Sequence, residues 1–204
     1  MKKIVLILMF VFICFSFSSA QEENSITHVE FLIGGGTKTS IFSEILNGTF
    51  IGPGFGVGIM FPVSFTLYVN KYFGIGFVDK AVFSYASYLE FNGMLLCVDN
   101  DLSMVNKIGN NEKKKFLLLE YGLLTSGRFY ILYDGQFSSN FYIGPNIFIG
   151  YENRSRTNTF AFSVGGFFDT RIYCADMRNS NGGYVNDYIL STGVEFRWRY
   201  CYFK

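Results

Sequence analysis

Apolar and polar positions alternate strictly along the last part of the chain. From residue 194 onward one face is apolar and mostly aromatic and the other is mostly charged: Val194, Phe196, Trp198, Tyr200 and Tyr202 stand against Glu195, Arg197, Arg199 and Cys201. Successive strand residues point to opposite faces, so this pattern predicts a β-strand with one aromatic and one charged face. A soluble protein would bury the aromatic face, whereas a membrane barrel would turn it towards lipid.

The same alternation recurs upstream and predicts eight strands in all. Two segments oppose their apolar row with glycines, as in 52–61, where a glycine row predicts room for long side chains from opposite strands. Asp79 falls on an apolar face, which predicts a bulge or the edge of a lipid-facing band. The predicted strands are 26–33, 52–61, 72–77, 116–124, 128–134, 141–151, 159–173 and 188–203.

Polar stretches predict the connections between these strands. Asp99-Asn100-Asp101 and the lysines 113–115 indicate that 87–114 is mostly loop, although 88–98 could also be strand. Ser126-Gly127 predicts a tight hairpin. An even strand number places both chain ends on the periplasmic side. The long connections 37–51, 87–114 and 174–187 then fall outside, and the short ones 125–127 and 152–158 fall on the periplasmic side.

Residues 1–20 have the pattern of an export signal. A basic start, an apolar segment too short to span a bilayer and a small-residue cleavage site precede Gln21. A lipoprotein anchored through Cys14 is the alternative. Cleavage would leave one domain, 21–204, with 17 − 2 = 15 basic and 16 acidic residues and a net charge of −1. This balance gives no basic field for nucleic acid.

The low charge content favours a membrane barrel over a soluble, lipocalin-like barrel. Charged residues make up 16% of the chain, whereas a soluble surface usually carries about 25–35%. No segment after the signal approaches 18 continuous apolar residues, and a closed barrel is the other way through a bilayer.

Three cysteines remain after the signal: Cys97, Cys174 and Cys201. Their spacing matches no zinc or redox motif, and their odd number leaves at least one unpaired. A Cys97–Cys174 disulfide and three free apolar thiols both stay open. No metal, cofactor or catalytic residue is predicted.

The export signal, about eight alternating strands with Gly-x-Gly faces and the aromatic last strand resemble the small OmpA/OmpX-like outer-membrane barrels. The resemblance is one of pattern over nearly all of 21–204. It implies an all-β, transmembrane, antiparallel barrel with up-and-down topology in the bacterial outer membrane. Outer-membrane lipids and the barrel-assembly machinery are the implied partners.

Closing such a barrel places the first and last strands side by side, which predicts a network of charged residues in the interior. Its expected members are His28, Glu30, Glu195, Arg197 and Arg199, with Glu30 facing Arg197 or Arg199. Buried charges must be paired. A structural salt-bridge network and a gate or proton-linked binding site are both open.

Three functions are compatible with this pattern. The first is a non-enzymatic barrel with a filled interior, whose surface loops serve structural or adhesion roles towards an extracellular ligand. The second is a small pore, although eight strands leave an interior that side chains fill. The third is a lipid-modifying enzyme, which needs a rim histidine, whereas His28 lies near the periplasmic end of its strand.

Overall fold

In the computed structural model, eight antiparallel strands close into a barrel. The structure describes residues 28–46, 49–88, 91–110, 112–131, 137–155, 158–176 and 188–202, so the predicted export signal lies outside the described residues. The strands are β1 (His28–Leu46), β2 (Thr49–Tyr68), β3 (Phe73–Tyr88), β4 (Phe91–Asn110), β5 (Lys115–Ile131), β6 (Phe137–Arg154), β7 (Asn158–Asp176) and β8 (Tyr188–Tyr202).

Each strand pairs with the next in sequence, and β8 pairs with β1. Closure leaves no sheet edge, so the backbone polar groups are paired within the sheet. Following the paired residues once around the barrel leads from His28 to Lys38, a stagger of 38 − 28 = 10 residues. Eight tilted strands enclose an interior that side chains can fill. The predicted all-β, up-and-down barrel is confirmed.

Apolar side chains face outward and polar side chains face inward. On β2 and β8, Val57 is 62% exposed and Phe196 is 46% exposed, whereas the inward Glu195 and Arg197 are 0% and 1% exposed. This distribution is the reverse of a soluble barrel and is that of a barrel surrounded by lipid. Among the described residues, no helix is long and apolar enough to cross a membrane.

The segment 87–114, predicted to be mostly loop, contains β4. Its polar residues misled the prediction because they alternate with apolar ones: Asp99 and Asp101 are buried in the interior, while Val98 and Leu102 face outward. In a membrane barrel an inward row is polar, so polarity alone does not indicate a loop.

The predicted hairpin at Ser126-Gly127 is also wrong, because both residues lie inside β5. The predicted strands 116–124 and 128–134 are therefore one strand. The prediction missed β4 and divided β5 into two strands. These two errors cancel in the count, so the predicted number of eight strands is correct. The predicted loop 37–51 is likewise mostly strand, because only 47–48 separate β1 from β2.

The even strand number puts the start of β1 and the end of β8 at the same rim, called the terminal rim below. Residues 69–72, 111–114 and 155–157 connect strands at this rim. At the opposite rim, three of the four connections have two to five residues: 47–48, 89–90 and 132–136. The fourth, 177–187, lies outside the described residues.

Glycines let β1 approach β8 closely at the seam. A Cβ atom on Gly34 would lie 1.8 Å from the backbone oxygen of Trp198, and one on Gly36 would lie 2.2 Å from that of Phe196. The indole of Trp198 covers Gly35, since a Cβ there would lie 3.0 Å from the ring. An aromatic ring over a strand glycine compensates for its missing side chain.

The seam register can be tested by a cross-strand disulfide. Thr37 pairs with Phe196 across β1 and β8, so Thr37→Cys with Phe196→Cys should form a disulfide on mild oxidation. Thr37→Cys with Trp198→Cys is the matched control, because diagonal neighbours lie farther apart. Non-reducing gels of folded protein would detect the bond, and equal yields from both pairs would contradict this register.

Candidate functional site: the charged interior

Charged side chains fill the barrel interior and come from every strand except β2. The described inner face of β2 instead carries small or uncharged residues, among them Gly54, Gly56 and Gly58. Such glycines leave space for the long side chains of the other strands. The ion-paired residues are Glu30, Lys38, Lys80, Asp99, Asp101, Lys107, Glu120, Arg128, Glu152, Arg154, Asp169, Glu195, Arg197 and Arg199.

Eight of these residues form one continuous row of alternating charge, called the central chain. The carboxylate of Asp101 lies 3.0 Å from both Arg197 and Lys80, and Lys80 also lies 2.9 Å from Glu195. Glu120 continues the row at one end, 3.3 Å from Arg197, and Lys38 at the other, 3.4 Å from Glu195.

Two further contacts complete the central chain. Arg199 pairs with Glu120, and Lys38 pairs with Asp99. The row therefore reads Arg199, Glu120, Arg197, Asp101, Lys80, Glu195, Lys38 and Asp99, with every neighbour of opposite sign. It crosses the interior between β1, β3, β4, β5 and β8.

A second group, called the lower cluster, lies near the terminal rim. Lys107 Nζ is 3.0 Å from Glu30 and 2.9 Å from Glu152. Arg154 contacts the same two carboxylates, at 2.6 Å to Glu152. Lys107 also lies 3.9 Å from the ring centre of Tyr68, a cation–π contact.

The third group is a single pair, Arg128 with Asp169, called the upper pair. The Arg128 guanidinium lies 3.9 Å from the ring centre of Tyr142. A cluster of apolar side chains occupies the interior beside it: Phe42, Met60, Val82, Ala86, Leu95 and Cys97. Cys97 is a buried free thiol, so the Cys97–Cys174 disulfide left open by the sequence does not form.

The three groups are each electrically balanced. Among the described residues, seven cations and seven carboxylates form these ion pairs. The central chain has four of each sign, the lower cluster two and the upper pair one. Buried charges without partners are strongly destabilising, so this balance makes a charged interior tolerable.

Four of the five residues predicted for the network lie in the interior as ion-paired side chains: Glu30, Glu195, Arg197 and Arg199. His28 is the first residue of β1, and its side chain lies outside the described residues.

The predicted contact of Glu30 with Arg197 or Arg199 is wrong. The register places Arg199 opposite Gly34 and Arg197 opposite Gly36, so both lie farther along β1. Glu30 instead contacts Lys107 and Arg154 on the far wall. The register between β1 and β8 places Glu30 and Arg197 at different heights in the barrel. This register depends on the stagger of the whole barrel and cannot be deduced from the sequences of the two strands.

Most members of the network were not predicted. Lys38, Asp99, Asp101 and Lys107 lay in segments predicted to be loops, and Lys80 lay just beyond a predicted strand. A period-two signal was nevertheless present in β4, where the outward row reads Met94, Leu96, Val98, Asn100, Leu102, Met104, Asn106 and Ile108. Giving alternation priority over polarity would have recovered the three members on β4, which are Asp99, Asp101 and Lys107.

The site has no arrangement for metal chemistry within the described ranges, because no three His, Cys, Asp or Glu side chains are placed to hold an ion. Each of the seven interior carboxylates whose side chains the structure describes already has a cationic partner. The geometry is that of a set of cross-links between strands that are not adjacent in the sheet.

No protein-family model matches the chain, and no curated protein matches it in sequence. Solved structures do match in shape. The outer membrane protein OprG from Pseudomonas aeruginosa is 11% identical with a TM-score of 0.56, covering 84% of this chain and 94% of that one. Neisserial surface protein A is 10% identical with a TM-score of 0.51, covering 86% and 99%. The outer membrane protease OmpT from Escherichia coli is 9% identical with a TM-score of 0.50, covering 90% and 99%.

This chain has the fold of the small outer-membrane barrels. The predicted resemblance is confirmed at the level of fold. At these identities the likeness says nothing about activity, and OmpT, among these similar structures, is a protease. The role of this outer-membrane barrel must therefore be argued from its own residues.

The upper pair can be tested by a double-mutant cycle. Arg128→Met or Asp169→Leu alone leaves an uncompensated buried charge and should reduce the free energy of unfolding by roughly 3–5 kcal/mol. The double variant should lose clearly less than the sum. Urea unfolding in lipid vesicles measures each value.

The matched control is Glu30→Gln combined with Arg197→Met. These residues belong to different groups, so their losses should add to within about 0.5 kcal/mol. Additive losses at Arg128 and Asp169 would contradict the pairing described here.

Proposed function

We propose that the protein is a non-conducting, non-enzymatic structural barrel of the bacterial outer membrane. The observation that carries this proposal is the interior, where balanced ion pairs join non-adjacent strands at three levels. Such cross-links make a small barrel rigid, and rigid barrels are suited to structural roles and to presenting surface segments.

A pore is the less favoured alternative. An ion crossing the barrel would have to pass the lower cluster, the central chain and the upper pair with its apolar neighbours. Passage would require breaking buried ion pairs, whose separation is strongly unfavourable. An open, water-filled channel needs a wider barrel.

An enzyme is also less favoured. A carboxylate already paired with a cation is a poor proton acceptor, and all seven described interior acids are paired. The OmpT likeness supplies the fold but no catalytic residue for this chain.

A role in adhesion now depends on fewer surface segments than the sequence indicated. Two of the three predicted outer loops, 37–51 and 87–114, are mostly strand. Of the third predicted outer loop, 174–187, residues 177–187 lie outside the described residues.

The location can be tested by fractionating a Gram-negative host that expresses residues 1–204. The protein should be recovered with outer membranes and show heat-modifiable mobility on gels, because a closed barrel resists unheated detergent. A version lacking 1–20 is the control and should stay inside the cell. Recovery of the full chain in the soluble periplasmic fraction would overturn the proposal.

Conduction can be tested in planar bilayers, with a general porin as the positive control. The purified barrel should give no large, stable channel, because side chains fill its interior. Reproducible conductance of general-porin size would favour the pore instead.

A further inference from the structure

The turn that joins β4 to β5 at the terminal rim carries three consecutive lysines. This segment, Lys113, Lys114 and Lys115, is called the lysine turn below, and all three side chains are exposed. Their ammonium groups form no ion pair or hydrogen bond with any residue that the structure describes. Three neighbouring cations without carboxylate partners repel one another, so an anion bound between them would be stabilised.

Among the described residues of the terminal rim, the lysine turn is the largest uncompensated charge. The lower cluster beside it is electrically balanced. Glu112 precedes the lysines and reduces the formal charge of the turn to 3 − 1 = +2. The neighbouring connection, 69–72, has a single lysine, Lys71, which lies 5.0 Å from the ring centre of Tyr72.

The backbone holds the lysine turn at a fixed place on the rim. Lys114 has a φ of 53°, the left-handed conformation that occurs in tight turns. Its carbonyl oxygen accepts a 2.9 Å hydrogen bond from the backbone N–H of Arg154 on β6. Gly109 lets β4 approach β5 closely here, because a Cβ atom on it would overlap the backbone oxygen of Lys115.

The lysine turn lies at the level of lipid head groups. Ile108 and Leu117 pair across β4 and β5, and both are exposed on the outside of the barrel. Tyr151 pairs with Leu117 on its other side, and outward tyrosines are typical of the boundary between hydrocarbon and head groups. Lys115 is the next outward residue of β5 beyond Leu117, about 5 Å farther along the barrel axis for a tilted strand.

This level distinguishes the lysine turn from the outward charge on β3. Asp79 is the seventh of the 16 residues of β3, lies between the outward Phe77 and Phe83 and pairs regularly with both neighbouring strands. The bulge or band edge predicted there is therefore wrong. A charge at Asp79 faces hydrocarbon, whereas Lys115 lies beyond the last apolar pair, where the anionic groups of lipids are found.

We propose that the lysine turn binds the phosphate of an anionic phospholipid in the membrane leaflet at the terminal rim. Lysine ammonium groups donate hydrogen bonds to phosphate oxygens as compact charges. Lys115 faces the lipid, so a phosphate bound there places its acyl chains along Leu117 and Ile108. A soluble acidic protein would have to enter the head-group layer to reach the same side chain.

The strand number agrees with this choice of ligand. Both chain ends face the periplasm in single-chain barrels with an even number of strands. The terminal rim then lies in the leaflet of the outer membrane that consists of phospholipids.

Native mass spectrometry of the purified barrel in detergent tests the proposal. The folded protein is titrated with phosphatidylglycerol, which is anionic, or with phosphatidylcholine, which keeps the phosphate but has no net charge. The wild-type protein should bind phosphatidylglycerol about tenfold or more tightly than phosphatidylcholine, because unpaired lysines favour a net negative head group. Heat-modifiable mobility on gels will confirm that each preparation is folded.

Variants locate the binding to the lysine turn. Lys113→Gln, Lys114→Asn and Lys115→Gln combined should abolish the preference for phosphatidylglycerol, and asparagine at 114 tolerates the positive φ. Lys115→Gln alone should raise the dissociation constant roughly fivefold, the contribution of one lysine near an anionic surface. Lys71→Gln is the matched control, since it removes one cation from the neighbouring turn, and should change the constant less than about twofold.

Four results would overturn the proposal. The first two are equal wild-type affinities for the two lipids and a triple variant that keeps the preference. The third is an equal loss in Lys71→Gln and Lys115→Gln, which would indicate a diffuse attraction to the whole rim. The fourth is inorganic phosphate that displaces phosphatidylglycerol at equal concentration, which would indicate a site for a soluble anion.

Discussion

Charge neutrality inside the barrel is the condition on which the rest of the structure depends. The interior holds long cationic and acidic side chains away from water, where an unpaired charge is costly. The central chain, the lower cluster and the upper pair each reduce that cost by pairing opposite charges. Lys80 lies between two carboxylates, Lys107 lies between two others, and Arg128 pairs with Asp169. The uncharged inner face of β2 leaves room for these side chains to reach across.

The sequence predicts the outer surface of this barrel better than its interior. Lipid favours apolar side chains at every outward position. Alternating apolar rows such as Phe55 to Phe61 and Val194 to Tyr200 can therefore be recognised from the local sequence alone. Inward positions meet no such uniform requirement. Asp99 and Asp101 look like loop residues until their partners, Lys38 and Arg197, are known.

The pairing of charges could not be predicted because it depends on register around the whole barrel. Glu30 and Arg197 sit on adjacent strands, yet Arg197 pairs with Gly36, which is 36 − 30 = 6 residues farther along β1 than Glu30. Glu30 finds its partner on β6, at Arg154. Ser126-Gly127 could not be assigned correctly for a similar reason. These residue types favour turns, but pairing with β4 and β6 on both sides holds them in the extended strand β5.

The long sequence separations within the network constrain the order in which the protein assembles. Arg154 lies 124 residues from Glu30, and Lys80 lies 115 residues from Glu195. A partly inserted sheet of β1 to β4 could still pair Glu30 with Lys107 and Lys80 with Asp101. It would lack the further partners of these residues, which are Arg154, Glu152 and Glu195. Hydrocarbon disfavours such an intermediate. The complete set of ion pairs therefore exists only when all eight strands are present and β1 has closed on β8.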